Sequence, residues 1–189
     1  MPDSASVRPL IGRQMASPDG RVLVTPLPSA TRFALRAKPE QMQAAGVAFG
    51  VALPTTACRA QASGTRAALW LGPDEWLLLA EAQAEAAIKA AFAAITAPLS
   101  LVEISHRNIA IELRGEGVTY ALAAGCPLDL DLSAFPVGAC TRTLFGKCEV
   151  VLWRSAPVTF RMEFWRSYAD YVWALLAIAC ADAALPTET

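Results

Sequence analysis

Residues 67–71 and 76–80 are two compact apolar runs separated only by Gly72-Pro73-Asp74-Glu75. Proline fixes φ and an Asp side chain can bond the local backbone, so this separator is a turn. Strands joined by so short a link can pair only antiparallel, because a parallel crossover needs about a dozen residues. The same constraint recurs along the chain. Strand patterns occupy residues 21–24, 31–36, 99–106, 109–114, 142–147, 149–154 and 158–166, and a Gly-punctuated apolar stretch runs over 46–53 to Pro54. In the last strand Val158, Phe160, Met162 and Phe164 alternate onto one face. Helical spacing of Ile88, Phe92 and Ile95 predicts a helix over 81–95. A short helix over 116–124 would be closed by Gly125 in the left-handed conformation. A capping box at Ser167-Tyr168-Ala169-Asp170 would open a helix to residue 184. The order implies an α+β fold of largely antiparallel sheets with two main helices. Residues 1–19 read as a mobile arm and 20–185 as one domain, with two lobes at about 20–97 and 98–185 as the alternative. Residues 186–189 read as a tail.

Composition narrows the function classes. Of the 54% hydrophobic residues, 38 are Ala, and the remainder is ordinary for a globular core. The longest apolar run, residues 171–181, falls short of the roughly 18–20 residues a bilayer span needs, so no membrane association is expected. Sixteen basic against 17 acidic residues give a net charge of −1 without a basic block, which leaves nucleic acid no electrostatic footprint. Five scattered cysteines without a Cys-x-x-Cys pair, and a start without a leader pattern, imply cytoplasmic localisation and free thiols. Cys140 and Cys148 are the pair closest in sequence, and a bridge across a hairpin is the minor alternative.

Familiar chemical motifs fail on inspection. Gly115-Glu116-Gly117 begins a dinucleotide fingerprint, but Tyr120 stands where its third Gly belongs. At Gly146-Lys147 the phosphate-loop pattern lacks its first Gly, where Thr141 stands, and its Ser or Thr, where Cys148 stands. The only His, His106, shares strand parity with Val102 and Ile104, which favours a packed histidine over a catalytic base. With one His and scattered Cys, no zinc spacing is present. Asp129 and Asp131 would share a face on a strand and could couple, although a solvated loop is the favoured reading.

The stretch Val102-Glu103-Ile104-Ser105-His106-Arg107, then Ile109-Ala110-Ile111-Glu112-Leu113-Arg114-Gly115, resembles the folate-dependent aminomethyltransferases. That group includes the glycine-cleavage T-protein and the folate domains of dimethylglycine and sarcosine dehydrogenases. Cys126-Pro127-Leu128-Asp129 stands where those proteins carry an Asn-Asp dipeptide. A fuller set of motifs continues the match in order: Leu71-Gly72-Pro73-Asp74-Glu75-Trp76-Leu77-Leu78, Gly125 to Leu130, Phe135-Pro136, Gly138, Cys140, Arg142-Thr143-Leu144 and Arg166-Ser167-Tyr168-Ala169-Asp170-Tyr171. This set, covering roughly residues 21–176, resembles the gamma-subunit family of heterotetrameric sarcosine oxidases.

The resemblance implies a fold like the folate-binding domain of the aminomethyltransferases and a cytoplasmic complex with alpha, beta and delta subunits. Such a complex demethylates sarcosine oxidatively to glycine, passes the one-carbon unit to tetrahydrofolate and produces hydrogen peroxide. The resemblance places FAD, FMN, NAD, tetrahydrofolate and zinc in the partner subunits and no cofactor or metal in this chain. Asp129 aligns with the acidic residue of the transferases. No catalytic residue is expected otherwise. Ser105, His106 and Arg107 are expected to serve architecture, with His106 packed inward and Arg107 directed to Glu103 or a neighbouring subunit. Trp173 or Cys180 is expected to be more exposed than Val172, Leu175 and Leu176, as part of an interface. The alternatives are a stand-alone transferase using Asp129 with His106 or Arg107, and a small-molecule binding module.

Overall fold

The computed structural model describes residues 9–183. They carry eleven strands and four α-helices, divided into two compact units. Of the described residues the first unit takes 9–28, 106–137 and 142–183, and the second takes 29–105 and 138–141.

In the second unit a five-stranded sheet has the order β4-β5-β6-β3-β7, formed by Ala60–Ser63, Arg66–Gly72, Glu75–Ala80, Thr31–Arg36 and Ser100–Glu103. All its pairings are antiparallel. The β5–β6 hairpin closes through Pro73-Asp74, with Trp70 opposite Trp76 and Gly72 opposite Glu75. Arg36 clamps the turn by holding Asp74 at 3.3 Å and Glu75 at 3.0 Å. One sheet face carries Phe33, Leu35, Ala68, Trp76 and Leu78 into a core completed by Ala45 and Phe49 of helix α1 (Met42–Phe49) and Ile88 and Phe92 of helix α2 (Glu85–Ala93). Fully buried Trp76 satisfies its indole by donating to the Pro54 carbonyl at 2.9 Å.

Helix α1 lies where the sequence pattern showed only an apolar run. Gly46 is the reason the chain can fold back so tightly: a Cβ there would lie 3.2 Å from the Val51 carbonyl oxygen. Gly50 then ends the helix at φ +82°, a conformation that costs glycine little. Near the same point Arg66 donates to the Phe49 carbonyl at 2.8 Å and pairs with Glu81 at 2.8 Å. The Arg66 guanidinium, with the local backbone and Thr65, holds the Glu81 carboxyl down to about 2. A depressed carboxylate pKa stabilises the fold above the ordinary value of 4.5 and loses that contribution as pH falls toward 2. Urea midpoints of the wild-type chain should therefore fall over that window, and Glu81→Gln should fall less steeply. Both side chains are partly solvated, so the difference is small. Identical slopes would show that the pair contributes nothing.

In the first unit the sheet order is β1-β2-β8-β11-β10-β9: Met15–Ala16, Leu23–Pro26, Asn108–Arg114, Thr159–Trp165, Cys148–Ala156 and Cys140–Phe145. The β1–β2, β2–β8, β8–β11 and β10–β11 pairings are antiparallel. Met162 lies opposite both Ile111 and Leu152, and Phe160 opposite both Leu113 and Arg154, so alternate residues of three strands build one buried face. Helices α3 (Val118–Ala123) and α4 (Ala169–Asp182) pack on one another. Strand β1 escaped the sequence reading because it is only two residues long. Ser17 anchors it, accepting from Val22 N at 2.9 Å.

The described residues carry the expected helices α2, α3 and α4 and one that the sequence pattern did not show, α1. Three expectations are corrected here. Gly125 is not left-handed; its role is close packing, since a Cβ would come within 2.9 Å of the Phe145 ring. Ser167 does not cap α4. It sits in a 3-10 turn over Arg166–Tyr168, and the N-cap is Tyr168, with no side-chain hydrogen bond. Replacing Ser167 therefore removes no cap. Within α4, Cys180 is buried like Val172 and Leu176, while Trp173 and Leu175 are both half-buried. The exposed apolar side chains of the helix are Tyr171 and Ile178 instead. The far end of the expected helix, residue 184, and the expected tail lie outside the described residues, as do residues 1–8 of the expected arm.

Candidate functional site

Residues Ser105, His106 and Arg107 lie in the turn between β7 and β8. Strand β7 stops at Glu103 because its own carboxylate accepts from Ser105 N at 2.7 Å. The Ser105 hydroxyl accepts in turn from Arg32 N at 2.9 Å. These bonds turn the chain, so strand parity ends before His106. That residue is exposed, not packed inward. Arg107 does not reach Glu103. Its Nε donates to Asn108 Oδ1 at 3.2 Å, and its guanidinium carbon sits 5.3 Å from the centroid of the Trp165 ring.

Asp129 and Asp131 lie on the loop after α3, both exposed. Asp129 Oδ1 accepts from Asp131 N at 2.9 Å, and Asp131 Oδ1 accepts from the Ser133 amide at 2.8 Å and its hydroxyl at 2.6 Å. The Ser133 bonds hold the Asp131 pKa below the ordinary carboxylate range. The two aspartates are consecutive self-closed turns, as the solvated-loop reading had it. Among the described residues no hydrogen bond or ion pair joins Asp129 to His106 or Arg107.

One residue that the sequence reading passed over organises this loop. Arg154 lies on the inward face of β10, in phase with Cys148, Val150 and Leu152, and is buried. Its Nη1 donates to the Leu130 carbonyl at 3.1 Å and the Phe135 carbonyl at 2.5 Å. The guanidinium carbon stands 4.6 Å from the centroid of the Phe160 ring, which itself stacks on Phe135. Burial lowers the Arg154 pKa, and the charge of Asp131 opposes that shift. The available signal was an Arg at the inward parity of an otherwise apolar strand.

The described cysteines are all free, including Cys140 and Cys148. Burial pushes the Cys140 thiol up to about 12 and Cys148 up to about 11, so neither supplies a thiolate at neutral pH. Among the described residues no cluster of His, Cys, Asp and Glu could hold a metal, and no helix is long and apolar enough to cross a membrane. The Gly115-Glu116-Gly117 turn cannot cradle a phosphate, because the Arg21–Val22 backbone fills the space over Gly115 and the Val22 and Arg21 side chains fill that over Gly117.

Two antiparallel sheets with short flanking helices define an α+β protein with an aminomethyltransferase-like fold. The glycine cleavage system aminomethyltransferase T from Bartonella henselae shares this fold, with a TM-score of 0.63 over 81% of this chain and 44% of that one, at 14% identity. The sarcosine oxidase, gamma subunit family matches residues 34–182, and the chain belongs to that family. Sarcosine oxidase subunit gamma of Corynebacterium sp. (strain P-1) is 33% identical over 140 residues, 72% of this chain and 68% of that one. A chain of the heterotetrameric sarcosine oxidase from Corynebacterium sp. U-96, solved in complex with pyrrole 2-carboxylate, superposes with a TM-score of 0.81. It is 26% identical, with 89% and 88% of the two chains covered.

Proposed function

We propose that this chain is the gamma subunit of a cytoplasmic heterotetrameric sarcosine oxidase and serves it as architecture, not as a catalyst. The complex oxidises sarcosine to glycine, produces hydrogen peroxide and transfers the released carbon unit to tetrahydrofolate. FAD, FMN, NAD, tetrahydrofolate and zinc belong to the alpha, beta and delta partners in this reading, and among the described residues no cluster of His, Cys, Asp and Glu could hold the metal. The observation that carries this reading is the state of the transferase-aligned acid. Among the described residues Asp129 accepts from Asp131 N at 2.9 Å and joins no ion pair, which is the bonding of a turn-forming carboxylate.

The test is co-expression with the remaining subunits, with a tag on this chain. The expected product is an equimolar complex that oxidises sarcosine, whereas the chain purified alone shows neither flavin absorbance nor sarcosine-dependent peroxide. A stoichiometric flavin spectrum in the lone chain, or saturable binding of tetrahydrofolate to it, would falsify the architectural role.

A further inference from the structure

Where β8 begins and β11 finishes, the strand ends gather exposed aromatic and cationic side chains. Pairing sets Trp165 opposite Asn108, and Arg166 N donates to the Arg107 carbonyl at 2.9 Å. His106, Arg107, Arg166 and Tyr168 are exposed around Trp165, whose own exposure is 44%. Leaving an indole in water forgoes one of the largest apolar burials a side chain can offer.

Arg107 is already fixed in place. Buried Asn108 takes its Nε, and the Trp165 ring lies under its plane. Its two terminal amino groups have no partner among the described residues. His106 and Arg166 likewise make no ion pair there, and the next acid along the chain, Asp170, is held by Arg13 at 3.0 Å. Arg36, Arg66 and Arg161 by contrast each hold a carboxylate of this chain, at 3.0, 2.8 and 2.6 Å. Among the described residues, therefore, no carboxylate is paired with Arg107 or Arg166.

The geometry points to this patch as a docking surface for a carboxylate-bearing segment of another subunit of the oxidase, seated on Arg107 and Arg166 and covering Trp165. The inference rests on the reading of this chain as a gamma subunit. Trp, Tyr and Arg are the residues that concentrate binding energy in interfaces. The guanidinium fork matches a carboxylate in two-pronged fashion. Charge complementarity selects the occupant. A second copy of this chain would bring the same positive patch, and a nucleic acid would need a basic stripe the sequence lacks.

The experiment uses the co-expressed oxidase with the tag on a different subunit. Arg107→Glu with Arg166→Glu should lower retention of this chain at least ~tenfold, since like charges then face each other. Trp165→Ala should lower it about tenfold as well. Arg107→Lys with Arg166→Lys should lie between the wild type and the reversal, and wild-type retention should weaken with salt. Arg166→Glu alone should leave the melting temperature of the isolated chain unmoved, whereas Arg107→Glu takes the donor from buried Asn108 and should lower it. Should the reversal melt early, the lysine pair and the salt series decide instead. Wild-type retention of the reversed chain, at low and high salt, overturns the docking surface and leaves the subunit reading intact. Failure of the wild-type chain to assemble overturns both, and salt-sensitive retention by nucleic acid in place of subunits overturns the choice of occupant.

Discussion

Gly115→Ala is expected to destabilise the chain by about 4 kcal/mol or more, enough to deplete folded protein at growth temperature. The residue ends β8 at φ +120°, where its amide donates to the Val158 carbonyl at 2.9 Å. A Cβ would lie far inside van der Waals contact of the Arg21 carbonyl oxygen and 2.8 Å from its carbon. That backbone cannot step aside. The Arg21 carbonyl accepts from Gly117 N at 3.1 Å, Val22 N is held by Ser17, and Leu23 is already registered against Arg114. Gly64→Ala is the control. Its φ is +57° with nothing within 4 Å of the added carbon, so it should cost only about 1 kcal/mol for the left-handed backbone. Urea unfolding of both variants measures the contrast. A Gly115→Ala chain as stable as Gly64→Ala would mean that the strand–helix turn can open without consequence.

The same turn shows what a sequence can and cannot disclose. Gly-x-Gly before a helix invites a phosphate reading, yet those glycines exist so that β2 can cross close to the turn. No local pattern reports a backbone arriving from residues 21–22. By contrast the β5–β6 hairpin was legible because all its determinants are adjacent: two apolar runs, a Pro-Asp turn and Trp70 facing Trp76. The inward set Phe160, Met162 and Phe164 was legible because β11 is central and alternates cleanly. Helix α1 was hidden because an apolar, glycine-bearing stretch has no clear period, and Gly46 matters only through its contact with Val51.

The candidate site was half legible. Motif order sufficed for the family, but not for the orientation of its residues. His106 was assigned by carrying strand parity past Glu103, where two side-chain bonds end the strand. Cys180 was assigned to an outer face that the buried side of α4 in fact includes. Arg107 was read as leaving the core, which holds, while its partner proved to be Trp165, fifty-eight positions along the chain. Only strand pairing brings those two together.

Arg154→Met should cost about 3 kcal/mol, because it strands two buried carbonyls that share one donor. The substitution keeps most of the side chain's volume, so a packing defect is not the main source of the loss. The Leu130 and Phe135 carbonyls would be left without the Nη1 donor that now bridges the ends of the acidic loop. Removing a buried charge recovers some desolvation, but it also removes the guanidinium stacked on Phe160. Arg154→Lys should lose about 2 kcal/mol, since an ammonium lacks the planar fork and the stacking surface. The diagnostic readout is local. Amide exchange over residues 129–135 should accelerate about tenfold in Arg154→Met even under conditions where the rest of the sheet stays protected. Equal acceleration across the whole unit would reduce Arg154 to a generic core residue. Unchanged exchange in the loop would show that the Asp129 and Asp131 turns hold themselves. Confinement of the change to 129–135 would establish that a buried arginine, and not the acidic residues it supports, keeps this loop in its present shape.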